Sequence, residues 1–225
     1  MDFGDKTIYG ATKNVDEDLR KIIALLNDEV SILAEKNEVD YLLISLRAIA
    51  NYTGVLFDRL ISYQDLPIEY TAISARNLFE CYLIVAYIIS DPSKGKDFIS
   101  QKPREELEIN EGFLSLATKN TSEESIKSIR DRIEYIREIV RVNHLTPSKN
   151  WTVSHLARQT NNDHEYKAFF KLYSKYIHPS SWILNSSRYE YDNPVFKNIF
   201  LLQGQHYTSC IIKLIDKNLG NKTIA

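Results

Sequence analysis

Apolar residues recur at intervals of three and four along most of this sequence, and this spacing is the strongest constraint on its fold. Leu19, Ile22, Ile23 and Leu26 show it in the first such stretch. On an α-helix this spacing places the apolar side chains on one face, whereas a half-buried β-strand needs strict alternation. The 7 glycines and 6 prolines are also too few for the turns of a β-sandwich of this length. The sequence therefore predicts an all-α protein.

Capping and helix-breaking residues divide the apolar stretches into separate helices. We predict one helical domain, built on a helical bundle of four long helices with additional shorter helices. Its core comprises about residues 14–90 and 151–219, and a charged helical insertion occupies about residues 93–143. The four long helices are predicted at Asn14–Ala34, Val39–Ser62, Ile68–Ser90 and Pro194–Leu219.

Several boundaries depend on single residues. Asn14 has the character of an N-cap for the first long helix, and Asn193-Pro194 is an N-cap followed by proline for the last one. Gly220 is expected to end that last helix. Pro103 is expected to begin a more polar helix, and residues 179–192 are expected to form a loop.

Composition and charge exclude some classes of protein. A formal net charge of −2 excludes a strongly basic nucleic-acid binder, although a local basic patch is compatible with it. The stretch Ile68–Ser90 is long enough to span a bilayer, but Arg76 and Glu80 near its middle would be costly in lipid. Cys81 and Cys210 lie in apolar stretches and are interpreted as buried free thiols of a reducing compartment. We therefore expect a cytoplasmic protein without a membrane partner.

Two charged residues interrupt the most apolar predicted helix. Arg76 and Glu80 are four residues apart and so lie on one helical face. The Arg-before-Glu order supports a helix less well than the reverse, so local helix stability does not explain the pair. Either the two form a buried ion pair that fixes helix register, or they belong to a functional pocket.

Two further polar features interrupt apolar helices. His178 ends a helix, and the following proline fixes its position at the mouth of a loop. Histidine titrates near neutral pH and suits acid–base chemistry, but a histidine in the last turn also interacts favourably with the terminal carbonyl groups. In the last helix, Gly204 costs helix stability, which indicates close approach of another helix or of a ligand.

The same stretches resemble a known family. Arg76-Asn77-Leu78-Phe79-Glu80 in an apolar helix, followed by Tyr173-Ser174 and by His178-Pro179-Ser180, is similar to a bacterial helical family catalogued as domain-of-unknown-function family 5677. The resemblance covers about residues 39–214. It implies a helical bundle and places the polar motif of the family at Arg76, Glu80 and His178.

A looser resemblance links the chain to the HEPN superfamily, which includes small helical proteins of toxin–antitoxin and phage-defence systems. HEPN ribonucleases carry an arginine and a histidine with four to six residues between them, and the residue directly after the arginine is polar. Arg158…His164 and Arg137…His144 have this spacing, which chance also produces in a sequence with 5 histidines. Arg76-Asn77 opens the motif, but Tyr82 occupies the position of the histidine.

These observations favour a HEPN-like protein of bacterial stress or phage defence with a pocket formed by Arg76, Glu80 and His178. As an RNA-cleaving toxin it would use Arg76 to stabilise phosphate charge, His178 as a general acid or base, and Glu80 to orient one of them. The alternative is a non-catalytic protein-interaction module or small-ligand sensor in which this cluster is structural. Whether the chain is an enzyme stays open at this point.

The expected partners follow from these hypotheses. RNA, a second copy of the chain and another protein are the candidates, and the sequence has no strong signal for DNA binding. The histidines show no His-x-x-x-His, His-x-His or Glu-x-x-His spacing, which are the familiar spacings of helix-borne zinc and di-iron sites, and no glycine-rich phosphate-binding loop is present. The sequence therefore predicts neither a metal site nor a bound cofactor.

Overall fold

All regular elements of the described residues are helical, so the predicted all-α fold is confirmed. The structure is a computed structural model that describes the backbone of residues 5–223 and the side chains of residues 13–220. A π-helix spans Tyr166–Phe170 and a 3₁₀-helix spans Arg188–Asp192. The α-helices are α1 (Asp5–Glu35), α2 (Tyr41–Ser62), α3 (Ile68–Ser90), α4 (Lys94–Ser115), α5 (Glu123–Val142), α6 (Val153–Gln159), α7 (Asp163–Glu165), α8 (Lys171–Ile177), α9 (Ser181–Leu184) and α10 (Pro194–Thr223).

The chain divides into two compact units. The first unit combines the chain up to Asp91 with the chain from Thr152 onwards, and the second unit is Pro92–Trp151. In the first unit, α3 packs against α2, α8 and α10, while α1 packs against α2 and α10. The four long helices therefore form the predicted helical bundle.

Helix α3 is the central element of the first unit because apolar side chains cover most of its circumference. Each fully buried large apolar side chain stabilises the fold by about 1.5–3 kcal/mol relative to exposure. Within the described residues, α3 is also the one helix long and apolar enough to cross a membrane, and 50% of its most apolar window is buried. The buried apolar residues of α3 include Ile68, Ala72, Ala75, Leu78, Phe79, Leu83, Val85 and Ile88.

The second unit is a hairpin of α4 and α5. Ile133 and Ile136 of α5 are buried, and Arg132 donates a hydrogen bond of 2.9 Å to the carboxylate of Glu106 on α4. At the end of the unit, the rings of Phe98 and Trp151 stack with centroids 6.0 Å apart. A few apolar contacts, ion pairs between α4 and α5, and one aromatic stack thus hold the hairpin together.

Several predicted boundaries are wrong because packing overrides local signals. Helix α1 begins at Asp5, so Asn14 lies inside it. Helix α4 begins at Lys94 and contains Pro103, which is buried; its ring removes one backbone hydrogen bond but does not end the helix. Helix α10 continues past Gly220 to Thr223.

The predicted loop at residues 179–192 contains α9 and the 3₁₀-helix. The Ser180 hydroxyl caps α9 by accepting a hydrogen bond from the backbone N–H of Ile183. The prediction at the start of α10 is confirmed, since Asn193 Oδ1 accepts hydrogen bonds from the N–H groups of Val195 and Phe196.

Candidate functional site

Arg76 extends from α3 onto an aromatic ring. Its guanidinium carbon lies 4.6 Å from the centre of the ring of Phe170, the last residue of the π-helix. Its Nε atom is shielded from solvent and has no hydrogen-bond partner. In the part of the chain that the structure describes, Arg76 forms no ion pair. The half-buried guanidinium is therefore held by a ring and keeps its polar edge for another partner.

Glu80 lies one turn further along the same face of α3 and is half-buried. Burial raises the pKa of its carboxyl above the ordinary value, and the positive charge of Arg76 opposes this increase only in part. The two side chains do not form an ion pair within 4.0 Å, so the buried ion pair, one of the two explanations that the sequence left open, is not the arrangement found. They are neighbours that influence each other through space.

His178 is exposed at the end of α8. Its backbone is extended, as expected for a residue before proline, and its N–H donates a hydrogen bond of 3.3 Å to the carbonyl of Ser174. The Ser180 hydroxyl donates to the carbonyl of Lys175, which fixes the turn after the histidine. The backbone of His178 is thus held at a defined surface position.

The structure brings Arg76 and Glu80 together but does not bring His178 into contact with them. Phe170 lies beside Arg76, and α8 leads away from that point towards Tyr176, which contacts Phe196 near the start of α10. His178 lies eight residues beyond Phe170, about 12 Å along the helix at 1.5 Å per residue. A shared catalytic role of the three residues stays a prediction.

A buried polar cluster that the sequence did not reveal lies between α7, α8 and α10. Tyr173 and Tyr207 are both 0% exposed. Their hydroxyl groups and Oε2 of Glu165 are shielded from solvent without a hydrogen bond of normal geometry. Burial raises the pKa of both tyrosines, and the negative charge of Glu165 adds to the increase. This cluster places a carboxylate next to two neutral phenols inside the bundle.

The edge of this cluster reaches the surface along α10. Tyr82 of α3 stacks on Tyr207, with ring centroids 5.9 Å apart. One turn after His206, the Cys210 sulfur lies 3.6 Å from the Nε2 atom of that histidine. Burial raises the pKa of the Cys210 thiol, and Glu165 raises it further, while Lys213 lowers it. The cluster therefore ends in a thiol and an imidazole that touch.

Gly204 of α10 sits where another helix approaches closely. A Cβ atom at this position would lie 2.4 Å from Cδ2 of Leu60 on α2. The glycine thus serves close helix packing, one of the two explanations that the sequence allowed. Leu60 fills the space in which a ligand beside Gly204 would have to lie.

Comparison with known proteins identifies one family. The model described as "Family of unknown function (DUF5677)" matches residues 60–193, more than half of the chain. This range is narrower than the resemblance seen in the sequence, and it includes Arg76, Glu80 and His178. No curated protein and no solved structure matches the chain significantly.

Proposed function

The chain belongs to the DUF5677 family, and from this premise we propose that it is a HEPN-like RNA-binding protein of bacterial stress or phage defence. The observation that carries the proposal is the guanidinium of Arg76, which rests on Phe170 and has no carboxylate partner. Helix α3 of the bundle provides the scaffold on which this arginine is placed. RNA cleavage is the more specific form of the proposal.

The environment of Arg76 favours a phosphate ligand. Several arginines of the chain pair with carboxylates, as Arg20 does with Asp16 and as Arg132 does with Glu106. Arg76 instead keeps a planar fork of N–H donors, and such a fork matches the oxygens of a phosphate group. Because the Phe170 ring already orients the guanidinium, less side-chain freedom is lost on binding.

The segment after His178 favours a single-stranded nucleic acid. Trp182, Tyr189 and Tyr191 are exposed within ten residues of each other, and Arg188 is exposed among them. Unstacked bases bind to such aromatic rings, at about 1–3 kcal/mol per base. A ligand that contacts both Arg76 and His178 must extend about 12 Å along α8, which suits a polymer better than a small molecule.

In the cleaving form of the proposal, Arg76 stabilises charge on the scissile phosphate and His178 transfers a proton. Glu80 lies beside Arg76, and its raised pKa keeps a larger protonated fraction towards neutral pH than an ordinary glutamate has. An acid with that property can donate a hydrogen bond or a proton at the site. The position of Glu80 therefore supports a role in orienting the phosphate or its attacking group.

RNA binding can be measured through Trp182 alone. The chain has 2 tryptophans, and Trp151→Phe leaves Trp182 as the only one. We expect a single-stranded uridine-rich RNA to quench Trp182 fluorescence, and a duplex RNA of equal length to quench it less. Affinity should fall as salt rises, because phosphate contacts release counterions. A protein whose fluorescence and mobility are unchanged by either RNA would contradict the proposal.

Arg76→Met tests the arginine that the proposal depends on. Loss of a charge-assisted hydrogen bond to phosphate should weaken binding roughly ten-fold or more. Arg158→Met is the matched control, because it removes the same charge from an exposed position on α6. If Arg158→Met abolished binding while Arg76→Met did not, the Arg158…His164 spacing would mark the RNA site, and our assignment would be wrong.

Cleavage is tested separately through His178. Expression of an RNA-cleaving toxin should arrest growth, and His178→Gln should relieve the arrest while leaving the melting temperature close to that of the wild type. General acid–base catalysis contributes about a hundred- to ten-thousand-fold in rate, so its loss is easily measured. Intact RNA after incubation with the purified protein near neutral pH, with and without divalent metal, would exclude cleavage but not binding.

One observation favours the alternative of a protein-interaction module. Ile109, Phe113 and Leu116 are exposed on or directly after α4 at intervals of four and three residues, and Leu116 is 74% exposed. Such a stripe is typical of a helix that docks in an apolar groove. Under this alternative, Phe113→Asp should abolish the effect of the expressed protein on cell growth without changing its melting temperature. Arg76→Met should leave that effect on growth unchanged.

A further inference from the structure

His206 and Cys210 lie one turn apart on α10, and their side chains meet at the protein surface. The Nε2 atom of His206 is 3.6 Å from the Sγ atom of Cys210. His206 is exposed and Cys210 is half-buried, so a small ion can reach both atoms from solvent. Imidazole nitrogen and thiolate sulfur are the two ligands that zinc and related metals prefer.

We propose that His206 and Cys210 chelate a thiophilic divalent metal ion of the zinc class. Zinc binds sulfur at about 2.3 Å and imidazole nitrogen at about 2.0–2.1 Å. At a tetrahedral angle, these bond lengths place the two ligand atoms about 3.5 Å apart. The observed 3.6 Å matches this separation, so the ion can bind without a change in the backbone of α10.

Two charges of opposite sign act on the Cys210 thiol. Glu165 lies close enough to raise the pKa of Cys210, and the same negative charge stabilises a bound metal ion. Tyr82 faces the thiol as a neutral phenol, and the positive charge of Lys213, which acts on Cys210 more strongly than Glu165 does, favours the thiolate that binds a metal ion. On binding, the thiol transfers its proton to solvent and the sulfur lone pair forms the bond to the metal.

The site holds the ion with two protein ligands. No cluster of three or more metal-binding side chains occurs among the described residues, so the other coordination positions belong to water or to an exogenous ligand. A chelate of this kind is open to exchange, unlike a structural site with four protein ligands. It lies on α10 and involves neither Arg76 nor His178, so it does not depend on RNA binding.

Cobalt(II) is the probe of choice, because a bond between cobalt and thiolate produces a charge-transfer absorption band. The test uses untagged Cys81→Ser protein, which retains only Cys210 as a thiol. We expect the band to appear with one cobalt ion per chain, with release of one proton, and to disappear on addition of Zn²⁺. His206→Gln should weaken cobalt binding at least about ten-fold, because one of the two protein ligands is lost.

Cys210→Ser, which retains Cys81, is the matched control. Cys81 is buried, its pKa is raised to about 12, and it should give no band. As a second measurement, Zn²⁺ should slow alkylation of Cys210 by iodoacetamide in the Cys81→Ser protein. It should not do so in the protein that carries both Cys81→Ser and His206→Gln. Absence of a band in folded Cys81→Ser protein, or equal cobalt affinity with and without His206, would overturn the proposal.

Discussion

The guanidinium of Arg76 rests on the ring of Phe170, with 4.6 Å between the guanidinium carbon and the ring centre. This contact joins the middle of α3 to the end of the π-helix. It also explains why Arg76 and Glu80 share a helical face without forming an ion pair, since the arginine side chain extends to the ring instead. The aromatic contact therefore determines where the guanidinium is presented.

We expect Arg76 and Phe170 to be energetically coupled. In a double-mutant cycle with Arg76→Met and Phe170→Leu, the coupling in the free energy of unfolding should be about 0.5–2 kcal/mol, the range for a cation on an aromatic ring. In the cycle of Arg76→Met with Glu80→Gln, the coupling in the free energy of unfolding should be smaller than the roughly 3–5 kcal/mol that is lost when a buried ion pair is broken. Additive effects of Arg76→Met and Phe170→Leu would show that the contact stabilises nothing.

Glu80 should make stability depend on pH. Its folded pKa is raised, so its stabilising contribution is complete below the ordinary value of 4.5 and is lost as pH rises through the folded pKa. The advantage of Glu80→Gln over the wild type should therefore grow as pH rises above about 4.5, as measured by urea unfolding. Glu69→Gln, at an exposed position in the first turn of α3, is the control and should show no such growth.

Helix boundaries could be predicted from the sequence where a capping or helix-breaking residue determines them. Helix α3 occupies Ile68–Ser90 as predicted, because Pro67 begins it and Asp91-Pro92 ends it. The prediction failed at Pro103, where proline usually begins a helix but here is buried inside one. A local rule cannot report the packing energy that compensates for the hydrogen bond lost at proline.

The site was only partly visible in the sequence for a related reason. Arg76 and Glu80 stand out as charges in an apolar helix, but their surroundings depend on tertiary contacts. The π-helix shifts the register of the segment that carries Phe170, so helical spacing alone does not place that ring. Glu165 and Tyr207 interact although they are 42 positions apart in the sequence, and no local sequence pattern predicts this contact. The contact between His206 and Cys210 was also missed, although the two residues are four apart in one predicted helix.

The buried tyrosines should limit stability at alkaline pH. Burial raises the pKa of Tyr207, so the unfolded chain ionises first and the folded state loses stability as pH rises above about 10. Tyr207→Phe should therefore unfold at a higher pH than the wild type when circular dichroism is followed through an alkaline titration. Tyr189→Phe removes an exposed phenol and should leave the midpoint unchanged. Equal midpoints for all three proteins would contradict the prediction.

Gly204→Ala should destabilise the bundle. The added methyl group would lie 2.4 Å from Cδ2 of Leu60, which is 0% exposed and has little room to move. Overpacking of this kind costs about 1–3 kcal/mol, more than the roughly 1 kcal/mol that alanine gains over glycine in a helix. Gly220→Ala, on the same helix, adds a methyl group with nothing within 4 Å and should cause no loss. Adding Leu60→Val should recover part of the stability of Gly204→Ala, because it shortens the side chain that clashes. Urea unfolding of the four proteins measures these differences, and equal stability of Gly204→Ala and Gly220→Ala would show that α2 and α10 are not in close contact at this point.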